Sequence, residues 1–301
     1  MASATRHENG RWEIVPEEGD HATFNAWLGR FFNALDPVFV RAKQVSEFEF
    51  ILCLLRIHGM GDSGWDPYET TLRAIPKISD LWKAADSELS KHIGLWIYGH
   101  IMEASEPYER LANFIRVVSG QRGQIATAFP PRGNRPPSPG EKIQELQALS
   151  AAAGFPDAFA ALREVWDRVL RNASFHADYA VARTGLRTLN PAREYSWGEF
   201  DNLTNGALAY HTAFSALYKL HVSSYERPVE IPVHPGFSPD PDERATVMVR
   251  EGHGVIGVKE AWTREQIERG KIPFRLVRFF PDEARLMEED PMRALFPARQ
   301  D

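Results

Sequence analysis

The segment from Ser196 to His221 restricts the possible folds more than any other part of the chain. Ser196-Trp197-Gly198-Glu199 has the spacing of a capping box, in which the serine and glutamate side chains each accept from the other's backbone N–H. Beyond it Phe200, Leu203, Ala207, Tyr210, Phe214, Leu217 and His221 recur three and four residues apart, which predicts one helix of about 25 residues. An apolar stripe of that length must be covered by other elements. The chain supplies them as further helices. Val45, Phe48, Leu52 and Leu55 share a face within 44–58, and helical patterning returns over 69–84. Ile93, Trp96, Ile97, His100 and Ile101 mark another helix over 88–104, and Leu111, Phe114, Ile115 and Val118 mark the next. These stripes predict a mainly α chain packed as an antiparallel helical bundle.

Boundary signals divide the rest. Residues 1–20 are polar and read as a frayed lead-in. Phe24, Trp27, Leu28, Phe31 and Phe32 then mark a helix from Asp20 to Leu35, which Asp36-Pro37 should stop. Ser105-Glu106-Pro107 reads as a break and restart, and the Gly- and Pro-rich 119–140 as a long loop. Ser138-Pro139-Gly140-Glu141 is a second capping box, leading into Ile143, Leu146 and Leu149, with Gly154 ending that helix. Asp157 is placed to cap the next, whose face of Phe159, Leu162, Val165, Trp166 and Val169 runs into Arg171. Residues 177–195 suggest a polar loop or short hairpin. The pattern changes after 222. A proline-rich stretch over 225–243 precedes two alternating runs, 245–250 and 255–259, around Glu251-Gly252-His253-Gly254, the signature of a β-hairpin. A short helix at 263–269 and a strand at 274–280 complete the expectation of a helical domain over 1–222 with a small appended α+β segment over 223–301.

Composition excludes several classes. A net charge of −6 argues against a protein that coats nucleic acid. The sign reverses locally, because residues 163–193 carry six Arg against Glu164, Asp167 and Asp178. One cysteine, Cys53 in an apolar run, excludes an internal disulfide framework and reads as a small buried hydrophobe. No run reaches the ~18 apolar residues of a membrane span, and the start lacks an apolar signal core, so a cytoplasmic protein without a membrane partner is expected. Gly59-Met60-Gly61-Asp62-Ser63-Gly64 matches GxGxxG, but it follows a helical pattern and not a strand, so a loop between helices is expected. His100 and His211 lie in apolar helical patterns and read as satisfied core or interface histidines. With no HExxH, Cys/His cluster, GxSxG elbow or P-loop, no metal or cofactor is expected.

The stretch that carries chemistry is Leu170-Arg171-Asn172-Ala173-Ser174-Phe175-His176-Ala177-Asp178-Tyr179. Arginine matches phosphate oxygens as a permanent planar cation, and histidine exchanges protons near neutral pH. With 27 Arg and 10 His in 301 residues, one Arg-x4-His is expected by chance; requiring one of the 9 Asn directly after the Arg lowers that expectation about thirtyfold. An Arg-Asn-x3-His motif at a helix end, followed by a polar loop and a long amphipathic helix, resembles the HEPN superfamily over roughly residues 88–222. Tyr98 to Glu106 also suits the helices that precede the motif in that superfamily.

The resemblance implies a helical-bundle, metal-independent endoribonuclease of the kind found in toxin–antitoxin, anti-phage and RNA-processing systems. It also implies a two-fold homodimer with both motifs facing one cleft, and it admits an antitoxin or regulatory protein as a partner. On a regular helix Arg171 and His176 lie about 140° apart, whereas Asn172 and His176 share a face. Arg171 and His176 therefore meet one phosphate if the helix ends near 174–176 or if two chains contribute. In the implied reaction His176 takes the ribose 2′-OH proton, Arg171 stabilises the phosphorane and Asn172 orients histidine or phosphate. Arg168 and Tyr179 are candidates to bind a neighbouring phosphate and to stack on a base of single-stranded RNA. Glu103 is either an accessory acid, as some families of this type place one, or a solvated surface acid. Structural roles stay open beside these: Arg171 can compensate a helix C-terminus, His176 can bond a last-turn carbonyl, and Asn172 can end a helix or sit in a turn. A non-catalytic nucleotide- or RNA-binding or dimerisation module is the alternative reading of the same motif.

Overall fold

The structure is a computed structural model that describes residues 3–16, 21–57, 67–124, 127–238, 240–260 and 275–277. The Gly59–Gly64 loop and the helix expected at 263–269 lie outside these residues. The fold is mainly α with small antiparallel sheets. Two compact units partition it: Met1–Val40, Tyr68–Ile115 and Phe129–Leu217 form the first, and Arg41–Pro67, Arg116–Ala128 and Tyr218–Asp301 the second. No helix among the described residues is long and apolar enough to cross a membrane.

The lead-in is structured where a frayed segment is expected. Strands β1 (Ser3–Arg6) and β2 (Trp12–Val15) form a hairpin with Ser3 opposite Val15 and Arg6 opposite Trp12. Tertiary contacts on helix α1 (Ala22–Val45) hold it. The Trp12 backbone exchanges hydrogen bonds with the Asn33 amide at 2.9 and 3.1 Å, the Trp12 ring stacks on Phe32 at 4.5 Å, and Arg6 Nε donates to buried Asp36 at 2.8 Å. Asp36-Pro37 does not stop α1, which continues to Val45. Pro37 is exposed, as is Asn33 one turn earlier, so the carbonyl that loses its intrahelical N–H partner can bond water.

Around the first unit's core run α3 (Pro67–Ala84), α4 (Ser87–Glu103), α5 (Ser105–Val118) and α6 (Pro139–Ala152). The chain then continues through α7 (Ala160–Val165) and α8 (Arg168–His176) to the long α9 (Trp197–Ser223). Both capping boxes form: Glu141 N and Glu199 N donate to Ser138 Oγ and Ser196 Oγ at 3.4 and 3.2 Å, and each glutamate accepts from its serine backbone. Phe39 packs between Phe114 and Phe214 with ring centroids 4.7 and 5.8 Å away, and Phe31 lies 5.4 Å from Tyr210. Each such buried aromatic contributes about 2–3 kcal/mol of hydrophobic stabilisation. Trp27 Nε1 donates to Asn202 Oδ1 at 3.0 Å and fixes α1 against α9.

Two expectations between α6 and α9 need correction. The helix expected from Asp157 to Arg171 is broken at Trp166-Asp167 into α7 and α8. Asp157 caps neither, since α7 begins after Phe159 without a side-chain cap. The hairpin expected after α8 is present as β3 (Tyr179–Ala182) and β4 (Gly185–Leu189), but it is not the whole element, because β5 (Ala192–Ser196) extends it into a three-stranded antiparallel meander.

In the second unit α2 (Glu47–Leu55) lies against an antiparallel sheet of β6 (Glu230–Pro232), β7 (Arg244–Arg250), β8 (Gly254–Glu260) and β9 (Arg275–Val277). Ser46 caps α2, Phe48 packs on Phe237 at 5.4 Å, and buried Glu49 accepts from Arg122 Nε at 3.0 Å and Gly123 N at 3.2 Å. The hairpin expected around Gly252 and Gly254 is present, with φ of +72° and +80° at these glycines. Cys53 is buried, and burial pushes its thiol far above the usual range.

Candidate active site

The motif lies in α8, and α8 is fixed at its start by Asp167. One oxygen of that buried carboxylate accepts from Val169 N and Leu170 N, both at 2.9 Å, so it satisfies two donors of the first turn. The same oxygen accepts from Tyr195 Oη at 2.9 Å, and the other accepts from Arg193 Nη1 at 2.7 Å. Tyr98 on α4 closes the break: its hydroxyl accepts from Asp167 N at 2.7 Å and donates to Val165 O at 2.9 Å. Burial raises both the Tyr98 and Tyr195 phenols well above their usual range, so both remain neutral donors.

α8 runs antiparallel to α4 at close range. Gly99 makes this possible, because a Cβ there would lie 2.9 Å from Ser174 Cβ and 3.3 Å from Phe175 Cε2. Ser174 Oγ donates to Leu95 O at 3.2 Å across the same seam. Toward the end of α4 the seam brings Arg171 to Glu103. Arg171 Nε donates to Glu103 Oε2 at 2.7 Å, Nη2 donates to the same oxygen, and Nη1 donates to Asn172 Oδ1 at 2.8 Å. Arg171 is largely covered, with 22% of its side chain exposed against 43% for Glu103. Its guanidinium also lies 5.3 Å from the Phe175 ring. Tyr108 is fully buried nearby and donates to Met102 O at 2.9 Å; burial chiefly raises its phenol, with the Glu103 charge adding to the shift and the Arg171 charge opposing it.

His176 is the last residue of α8 and is exposed. The chain turns directly after it, with Ala177 in the left-handed region at φ 54°. The helix therefore keeps its form through the whole motif. Asn172 and His176 share a face while Arg171 looks to α4, so one helix does not bring arginine and histidine onto a single phosphate. Arg168 is exposed in the first turn. Tyr179 opens β3 half-buried; its hydroxyl lies 2.9 Å from His92 Nδ1, and burial raises its phenol.

The structure thus joins Arg171, Asn172 and Glu103, and leaves His176 and Arg168 open to solvent. Asp167, Tyr98, Tyr195 and Arg193, which orient α8, carry no local sequence signal except the capping character of Asp167. His100 is exposed and lies 3.3 Å from Thr71 Oγ1, not in the core, whereas His211 is buried. Among the described residues no group of three or more His, Cys, Asp or Glu side chains is arranged to hold a metal ion. No family model, no curated protein and no solved structure matches the chain.

Proposed function

We propose that the chain is a HEPN-type, metal-independent endoribonuclease of single-stranded RNA, acting as a toxin or anti-phage effector. The observation that carries this reading is the disposition of α8: a capped helix presents Arg171 beside Asn172 and ends on a solvent-open His176. His176 takes the 2′-OH proton, the 2′-oxygen attacks phosphorus, and the P–O5′ bond breaks. A second His176 or water protonates the departing 5′-oxygen, leaving a 2′,3′-cyclic phosphate and a 5′-hydroxyl. Arg171 stabilises the added charge of the phosphorane. Because Arg171 and His176 diverge on one helix, the reading places two copies about a two-fold axis, each completing the other's phosphate site. An antitoxin or regulatory protein is a further partner on this reading. Arg168 contacts a neighbouring phosphate and Tyr179 a base.

A second reading rests on the Arg171–Glu103 pair. With three donor contacts already directed at Glu103 and Asn172, Arg171 suits a module that recognises RNA or nucleotides, or dimerises, without turnover. Cleavage of a labelled single-stranded RNA pool in EDTA separates the two. Cleavage by wild type and not by Arg171→Ala or His176→Ala, with cyclic phosphate ends, is the expected result. Cleavage that survives His176→Ala would refute the assignment of the base.

A further inference from the structure

α4 and α8 meet along two stripes. On α4, His92, Trp96, Gly99 and Glu103 follow one another at spacings of four, three and four, which places them in one row along the helix. On α8, Arg168, Arg171 and Phe175 do the same. Across the seam Tyr179 meets His92 with ring centroids 5.6 Å apart, and His92 lies 6.4 Å from Trp96. Phe175 rests over Gly99, and Arg171 reaches Glu103. The seam is therefore a row of π systems that ends in the Arg171–Glu103 ion pair.

This row is open where a core would be closed. Trp96 is 53% exposed and Phe175 52% exposed. Neither is loose: Trp96 lies beside His92 with ring centroids 6.4 Å apart, and Phe175 lies against Gly99 of α4 with the Arg171 guanidinium 5.3 Å from its ring centroid. Both rings are half exposed yet held by these neighbours, so little side-chain entropy remains to be lost on binding.

We infer that Trp96 and Phe175 form a base-stacking platform that receives single-stranded RNA beside the phosphate site. This rests on the ribonuclease reading and names the subsite that grips the substrate. Charge and shape choose the occupant. A flat base supplies the π partner, and its polyanionic backbone matches Arg171 with exposed Arg168 one turn away on the same face. A second copy of the chain would match a contiguous apolar patch better, whereas here the rings alternate with His92 and the Arg171–Glu103 pair. From Trp96 to Glu103 is seven residues, about 10 Å along the helix. That is the length of about three bases stacked 3.4 Å apart, so a short run of RNA spans platform and phosphate site together.

The test uses full-length protein carrying His176→Ala for binding, and intact His176 for cleavage. Trp96→Leu and Phe175→Leu keep apolar bulk at exposed positions and remove the π face. Each is expected to weaken binding of a labelled single-stranded RNA by about 5- to 150-fold. In cleavage each raises KM with little change in kcat. An abasic RNA should show a much smaller difference between wild type and variant. Unchanged RNA affinity in both variants overturns the platform while Arg171-dependent cleavage keeps the ribonuclease reading intact. Variants that dissociate a dimer with RNA affinity per chain unaltered assign the row to a second copy and overturn the inference. Wild type that neither binds nor cleaves RNA overturns the inference and the reading together.

Discussion

Asp167→Ala tests whether α8 is oriented by one carboxylate. The substitution removes a cap that serves Val169 N and Leu170 N, a loss of about 1 kcal/mol. It also leaves the buried Tyr195 hydroxyl without its acceptor, which costs about 1–3 kcal/mol. Arg193 is half exposed, so losing its ion pair adds only a few tenths of a kcal/mol. The expected destabilisation is about 3 kcal/mol. Asp167→Asn keeps a capping oxygen and an acceptor for Tyr195 and loses only the charge, so about 1 kcal/mol or less is expected. Urea unfolding followed by circular dichroism gives both values, and amide exchange at Val169 and Leu170 reports the first turn directly. A loss below about 1 kcal/mol for Asp167→Ala, or equal losses for Ala and Asn, would refute this account of how the motif is held.

Two further outcomes follow from pairs described above. Glu103→Gln releases Arg171 for phosphate, so affinity for single-stranded polyribonucleotide should rise and the slope of log K against log salt should steepen by about 0.7; an unchanged slope rules out competition between Glu103 and phosphate. Glu141 is held at about 2, first by its Arg135 side-chain bond and then by the Ser138 backbone and hydroxyl. This depressed value adds stability that is complete above the ordinary 4.5 and lost as pH falls through about 2. An NMR carboxyl titration midpoint near 4.5 would contradict it.

Local signals made part of this structure legible. The boxes at Ser138–Glu141 and Ser196–Glu199 each fit within four residues, and the β7–β8 hairpin announces itself by alternation and two glycines. The break at Trp166-Asp167 was illegible because its causes are distant: Tyr98 lies 69 residues before Asp167 and Tyr195 lies 28 after it. The β1–β2 hairpin leaves little local signal, because two alternating apolar residues, Trp12 and Ile14, are too few to reveal a strand and its anchorage lies on Asn33 and Asp36. The effect of Pro37 depends on which face of α1 it occupies, and that face is set by tertiary packing. At the site, adjacency in sequence marked Arg171 and Asn172, while the Glu103 contact depends on the close passage over Gly99.

The anchoring of α8 also sets when the motif can exist. Nine residues are too few to hold a helix unaided in water. Tyr98 is made long before the motif, but Tyr195 follows Arg171 by 24 residues. At about 5–20 residues per second that is roughly 1–5 s of synthesis. Until β5 has emerged, Asp167 lacks two of its partners, Arg193 and Tyr195. A nascent chain therefore carries the motif before its anchor is complete, and α8 gains its full set of restraints only once the meander behind it has been made.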